Sequence, residues 1–144
     1  RRLRGVGIMS LHHASCVEID GKGIVIFGPS GSGKSDLALR LIDAGGKLVS
    51  DDCVEITNEG DVLYAFPSPN IEGMIEVRGV GIIKLSYLKI STLSLALTLV
   101  SDEKIERLPE QKKFSIDEAT IPLYNFNAFS VSAIAKIKLI LRSL

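Results

Sequence analysis

The chain has 144 residues, 46% of them apolar and 24% charged, and its 17 basic and 17 acidic side chains give a formal net charge of zero. That length suits a single domain with its own core, and the composition excludes a disordered or low-complexity chain. Zero net charge argues against a general nucleic-acid binder, which carries a basic excess. The longest uncharged stretch, Ala119 to Ala135, is broken by Pro122, Asn125 and Asn127 and falls short of the roughly 20 apolar residues of a bilayer span.

Residues 1–144 therefore read as one domain, with residues 1–8 (Arg1, Arg2 and Arg4 among them) a disordered tail or sequence upstream of a start at Met9. Nothing in them has the apolar centre of a secretory signal. Cys16 and Cys53 are far apart and form no metal-ligand spacing, which predicts free thiols, no zinc and a cytoplasmic protein.

In chain order, His13 to Ile19 reads as a first strand and Asp20-Gly21 as a hairpin turn. Gly23 to Phe27 is a short apolar run of the kind found in buried strands. Ser35 to Ala44 carries Leu37, Leu41 and Ala44 at helical spacing, with Gly45-Gly46 as the stop. Leu48-Val49 is a buried strand ending in Ser50-Asp51-Asp52. Cys53 to Thr57 and Val62 to Ala65 flank a turn and predict a second hairpin. In the apolar run Ile75 to Ile83, Gly79 and Gly81 predict a bend or a close backbone approach. Leu93 to Val100 reads as a strand, and the charged stretch Ser101 to Phe114 as a loop. Ser130 to Leu144 reads as an amphipathic helix with Ala133, Ile137, Ile140, Leu141 and Leu144 on one face. Many short strands with two helices predict an α/β fold, the first helix packed on a sheet.

The segment Gly28-Pro29-Ser30-Gly31-Ser32-Gly33-Lys34-Ser35 fits the phosphate-loop pattern G-x-x-x-x-G-K-[ST]. Its glycines let the backbone curl so that N–H groups converge on an anion, and the following helix adds its positive end. Lys34 can reach the β- and γ-phosphates, and the Ser35 hydroxyl can hold Mg²⁺. The pattern counts only where it follows an apolar strand and opens a helix, and here it does both. Nucleoside triphosphate binding is the firmest functional expectation.

Such a site needs an acid beside Mg²⁺ at the end of a neighbouring strand, and Asp51-Asp52 fits that place. Successive strand residues point to opposite faces, so one of the pair can address Mg²⁺ or its waters and the other can take a proton from an attacking hydroxyl. Glu76 in Met74-Ile75-Glu76-Val77 needs a cation if buried, and Mg²⁺ and Arg78 are the candidates. His12 and His13 are adjacent, so a strand would turn only one of them inward. Arg107 lies in a charged loop, where an arginine can stabilise a phosphoryl-transfer transition state.

Together these segments resemble the catalytic domain of HPr kinase/phosphorylase, from about His13 to the C-terminus. The resemblance rests on the histidine before the strand, the Gly28–Ser35 loop, Val49-Ser50-Asp51-Asp52 and above all Ile75-Glu-Val-Arg-Gly-Val-Gly-Ile82. Glu106-Arg107-Leu108-Pro109-Glu110 further resembles the short proteobacterial members, which lack the N-terminal domain of the longer forms. The resemblance implies a P-loop kinase-like sheet with flanking helices and an ATP- and Mg²⁺-dependent protein serine kinase. Its substrate would be the phosphocarrier HPr of the sugar phosphotransferase system, with no nucleic-acid or membrane partner, and the chain would self-associate. It makes His13 an active-site histidine, Lys34 the phosphate-contacting lysine, Asp52 the base (and the acid of the reverse reaction), Ser35 and Glu76 the Mg²⁺ positions, and Arg107 an active-site arginine, with Asp51 and Arg78 in support.

One departure stands out. Longer members carry a basic loop linked to dephosphorylation near the start of the C-terminal helices, whereas the corresponding stretch here, Ile121 to Phe129, has no lysine or arginine. Two other readings compete with the protein kinase: a small-molecule kinase on the same loop, and a non-catalytic ATP-sensing module. A domain this small has little room for the lid that excludes water in small-molecule kinases, whereas a folded protein substrate covers the site itself. The set Lys34, Ser35, Asp52 and Glu76 argues against a sensor, which has no need of a base.

Overall fold

Alternating apolar side chains along successive strands give this chain a sheet that is buried on both sides. The computed structural model describes residues 9–144, so the expected tail over residues 1–8 lies outside the described residues. The strands are β1 (Met9–His12), β2 (Ala14–Ile19), β3 (Lys22–Phe27), β4 (Lys47–Ser50), β5 (Val54–Glu59), β6 (Val62–Pro67), β7 (Met74–Val77), β8 (Gly81–Lys84), β9 (Ser91–Leu99), β10 (Lys112–Ile116) and β11 (Ala119–Phe126). The helices are α1 (Lys34–Asp43) and α2 (Ala133–Arg142). Nine of the strands form one curled, mixed sheet in the order β1-β5-β6-β9-β3-β2-β4, with β11 joined to β9 and β10 to β11. β7 and β8 form a separate hairpin.

The pleat divides the core in two. On β3, Ile24 and Ile26 face the helices, where they meet Leu37, Ala38 and Leu41 of α1 and Ala133, Ile137 and Leu141 of α2. Val25, between them, faces the inside of the curl with Cys16, Val54, Ile56, Leu93 and Ala96. Cys16 and Cys53 are free, as expected. Burial, and secondarily the Glu18 carboxylate, pushes the Cys16 thiol pKa well up, so the thiol stays protonated and inert.

Helix α1 buries Lys34, Leu37, Ala38 and Leu41, a stripe at i, i+3, i+4 and i+7. It ends where the Gly46 N–H reaches back to the Leu41 carbonyl at 2.9 Å, with Gly45 at φ 110°. Helix α2 buries Ala133, Ile137 and Leu141, but it stops at Arg142 and leaves Leu144 exposed, so the apolar face is shorter than its sequence pattern.

Other expectations need correction. His13 is not in a strand: it occupies the bend between β1 and β2, which frees its side chain from the pleat. The run Ile75 to Ile83 is broken into β7 and β8 by a turn in which the Val80 N–H bonds the Val77 carbonyl at 2.9 Å. Gly79 sits third in that turn at φ 84°, where a side chain would be strained, and open space surrounds its missing Cβ. Of the two alternatives, the bend is therefore correct and the close approach is not.

The charged loop ends earlier than Phe114. Lys112–Ile116 is a strand because β11 supplies its partner, with Phe114 opposite Ile121. Residues 121–129 are likewise mostly strand: Leu123 to Phe126 pair in parallel with Ala96 to Leu99, which leaves only Asn127 to Phe129 as a loop. Pro122 stands just before that parallel pairing begins, where its missing N–H breaks no bond to β9.

Candidate active site

The loop from Gly28 to Gly33 joins β3 to α1, as its pattern requires. Gly33 caps the helix at φ 97°, a left-handed conformation open mainly to glycine. It also lies under the Phe129 ring, where an added Cβ would come 3.0 Å from Cζ. Lys34, the first helical residue, is only 6% exposed. Its ammonium donates to the carbonyls of Gly28 at 2.7 Å and Pro29 at 3.1 Å, so the positive charge stays at the loop.

Asp51 and Asp52 follow β4, which ends at Ser50, and their side chains part. Asp51 is buried. Its Oδ1 accepts from Ser35 Oγ at 2.8 Å and from Ser15 Oγ at 2.9 Å, and its Oδ2 accepts from the Glu76 N–H at 3.4 Å. Asp52 is exposed, and its Oδ1 lies 3.6 Å from His13 Nε2. The backbone explains how neighbouring carboxylates diverge so fully. The Cys53 N–H bonds the Asp51 carbonyl at 2.8 Å, which closes a three-residue turn with Asp52 at its centre and φ at 68°. Such a γ-turn with positive φ is strained, by roughly 1–3 kcal/mol for a residue outside the common regions. It is held from several sides: the Asp52 N–H donates to Ser15 Oγ, and Ser50 Oγ donates to the Cys53 carbonyl while accepting from the Ser68 N–H.

Ser15 escaped the sequence reading. It is completely buried, donates to Asp51 and accepts from the Asp52 backbone. A serine within the apolar half Ala14–Val17 of β2 was the available signal, since a buried hydroxyl must find a partner. The two histidines separate, though not by the alternation of one strand: His12 ends β1 half-buried against Phe27 and Phe114, where burial lowers its pKa, and His13, in the bend that follows, lies exposed beside Asp52.

Two adjoining cavities, of about 440 and 740 Å³, open above the loop. Ser30, Gly31, Ser35, Asp52, Glu76, Val77 and Arg78 line both. Glu76 and Arg78 thus join the loop and the acids. Glu76 is exposed on the cavity side, so it needs no buried cation of its own. Arg107 is different: it lies exposed in the segment between β9 and β10 and lines neither cavity.

The donor set fits a small, hard cation held jointly with a phosphate chain. No three His, Cys, Asp or Glu side chains converge as a metal cage among the described residues. Mg²⁺ does not require one: it takes one or two carboxylates, a hydroxyl, water and substrate phosphates. Ser35, Asp51 and Glu76 are the oxygen donors grouped there.

The comparisons with known proteins follow the same outline. The family model for the HPr Serine kinase C-terminal domain matches residues 6–137. The HPr kinase/phosphorylase of Geobacillus thermodenitrificans is 38% identical over 122 residues, which cover 76% of this chain and 40% of that protein. Its counterpart in Bacillus licheniformis is 34% identical over 116 residues, 77% of this chain and 37% of that protein. The chain therefore spans well under half the length of these relatives. The solved structure of the Hpr(Ser) kinase/phosphatase from Coxiella burnetii superposes with a TM-score of 0.80 at 28% identity, covering 93% of this chain and 95% of the other. With the family model matched over residues 6–137 and a relative 38% identical across 76% of this chain, the chain belongs to the HPr Serine kinase C-terminal domain family.

Proposed function

We propose that the chain is an ATP- and Mg²⁺-dependent protein serine kinase acting on HPr in the cytoplasm, where it regulates sugar uptake and carbon metabolism. The observation that carries this reading is the split of the Asp51-Asp52 pair. Asp51 is tied to the loop serine Ser35, and Asp52 stands at the cavity mouth beside His13.

The loop N–H groups and Lys34 bind and orient the phosphate chain of ATP. Mg²⁺, when bound, neutralises charge on the phosphate oxygens, and Ser35, Asp51 and Glu76 are the residues that would hold it. Asp52 accepts the proton of the attacking serine hydroxyl. That oxygen forms its bond to the γ-phosphorus as the bond to the bridging oxygen breaks, and ADP leaves with that electron pair. His13, 3.6 Å from the Asp52 carboxylate, helps to orient it. Arg78 borders both cavities and offers its charge to the transferred group. Arg107 could do so only by a movement of its loop. Self-association fits the zero net charge and the exposed apolar side chains Val80, Ile82 and Leu139.

The reverse reaction is the discriminating test. Phosphorolysis of phosphoserine by inorganic phosphate brings two anions into one site. Two unit charges about 4 Å apart repel by about 4 kcal/mol even at an effective dielectric of ~20. Among the described residues the cations lining the cavities are Lys34 and Arg78, and residues 121–129 add none. Phosphorylation of HPr by ATP should therefore be faster than phosphorolysis of serine-phosphorylated HPr when both are measured on one preparation at saturating substrates. Equal rates would show that no further basic group is needed. ADP formation that HPr does not accelerate would remove HPr as the acceptor.

A further inference from the structure

We infer that Phe129 is the platform on which the base of the bound nucleotide stacks. The inference rests on the nucleotide-binding reading of the loop and adds to it the residue that holds the nucleoside end. A phenyl side chain ordinarily seeks the core, yet Phe129 is 67% exposed. It is also firmly placed. Its N–H donates to Asn127 Oδ1 at 3.0 Å, and Asn127 Nδ2 donates to Asp102 Oδ1 at 3.2 Å. The carbonyl of its neighbour Ala128 accepts from Arg40 Nη2 on α1, and Ala128 itself is buried in the helix-side core. A ring that is exposed on a backbone held from two sides is presented to something.

Its position says to what. The ring rests against Gly33 and lines the cavity that holds Lys34, Ser35 and Asp36. It does not line the adjoining volume, which Asp51 and the Gly79–Ile82 segment border. Asp52 and Glu76 border both volumes, but Lys34 and Phe129 border only the first, so a nucleotide whose phosphates lie at Lys34 has its nucleoside within reach of Phe129 and leaves the adjoining volume to the phosphate acceptor. The other apolar side chains of that cavity, Leu39 and Val77, are aliphatic, so Phe129 alone among the described lining residues offers a π-face. Stacking on such a face tolerates any base.

The test is calorimetric titration of the full chain with ADP, GDP and pyrophosphate in the presence of Mg²⁺, for the wild type, Phe129→Ala and Phe129→Trp. Removal of a stacking ring should weaken both ADP and GDP about tenfold. Pyrophosphate, which has no base, should bind Phe129→Ala as it binds the wild type, and this also shows that the variant's loop is intact. Phe129→Trp should restore nucleotide affinity. Unchanged ADP binding in Phe129→Ala, or an equal loss for pyrophosphate, would overturn the inference and leave the loop's function standing. A wild-type chain that binds neither nucleotide nor pyrophosphate would overturn the reading of the loop, and the inference with it.

Discussion

Asp52→Asn should lower the rate of phosphoryl transfer by about 10²- to 10⁴-fold, the usual worth of a positioned general base. The substitution isolates the proton-accepting role. Asparagine tolerates the left-handed conformation of position 52 as well as aspartate does, so the three-residue turn survives. The bonds that fix the turn come from the backbone of residues 51–53 and the hydroxyls of Ser15 and Ser50, and none uses the Asp52 carboxylate. Binding of ATP should change little, because the loop and Asp51 are untouched. Single-turnover transfer together with ATP titration separates these effects. If Asp51→Asn abolishes turnover at normal ATP affinity while Asp52→Asn is mild, the roles are reversed.

Lys34→Ala should weaken ATP binding about 10- to 100-fold, the range of one or two charge-assisted hydrogen bonds, and abolish measurable transfer. The fold should survive. The substitution removes the buried charge along with its stem, so no unpaired ion is left behind. The carbonyls of Gly28 and Pro29 that Lys34 now bonds lie in a partly exposed loop, where water can replace it. Titration with ATP alongside a thermal melt checks both halves. Undiminished affinity in a folded variant would take Lys34 out of the site.

The legible part of the site was the part written in local sequence. The loop from Gly28 to Ser35 is set by glycines, a lysine and a flanking apolar strand within one short segment, and the structure places it between β3 and α1. That Asp51 and Asp52 part was expected from the pleat, but the cause lies elsewhere, in a three-residue turn just past the end of β4. What the sequence could not show were the partners brought in from afar. Ser15 lies 36 residues from Asp51 and looks like any strand serine until β2 and β4 pair. The strand character of residues 121–126 was hidden because it depends on β9 and β10 on either side. The period-two pattern Lys113-Phe114-Ser115-Ile116 did carry the signal for β10, but the surrounding charge masked it. Arg107 shows the opposite limit, since its place in a motif does not bring it to the cavity.

The central claim is that this chain moves a phosphoryl group from ATP to a serine of HPr. Incubation with ATP labelled in the γ-phosphate, Mg²⁺ and HPr, followed by mapping of the labelled residue, tests it most directly. The account predicts label on a single serine of HPr, lost when Mg²⁺ is omitted or when Lys34→Ala replaces the wild type. Label released only as free phosphate, or HPr left unlabelled by a chain that binds ATP normally, would contradict it.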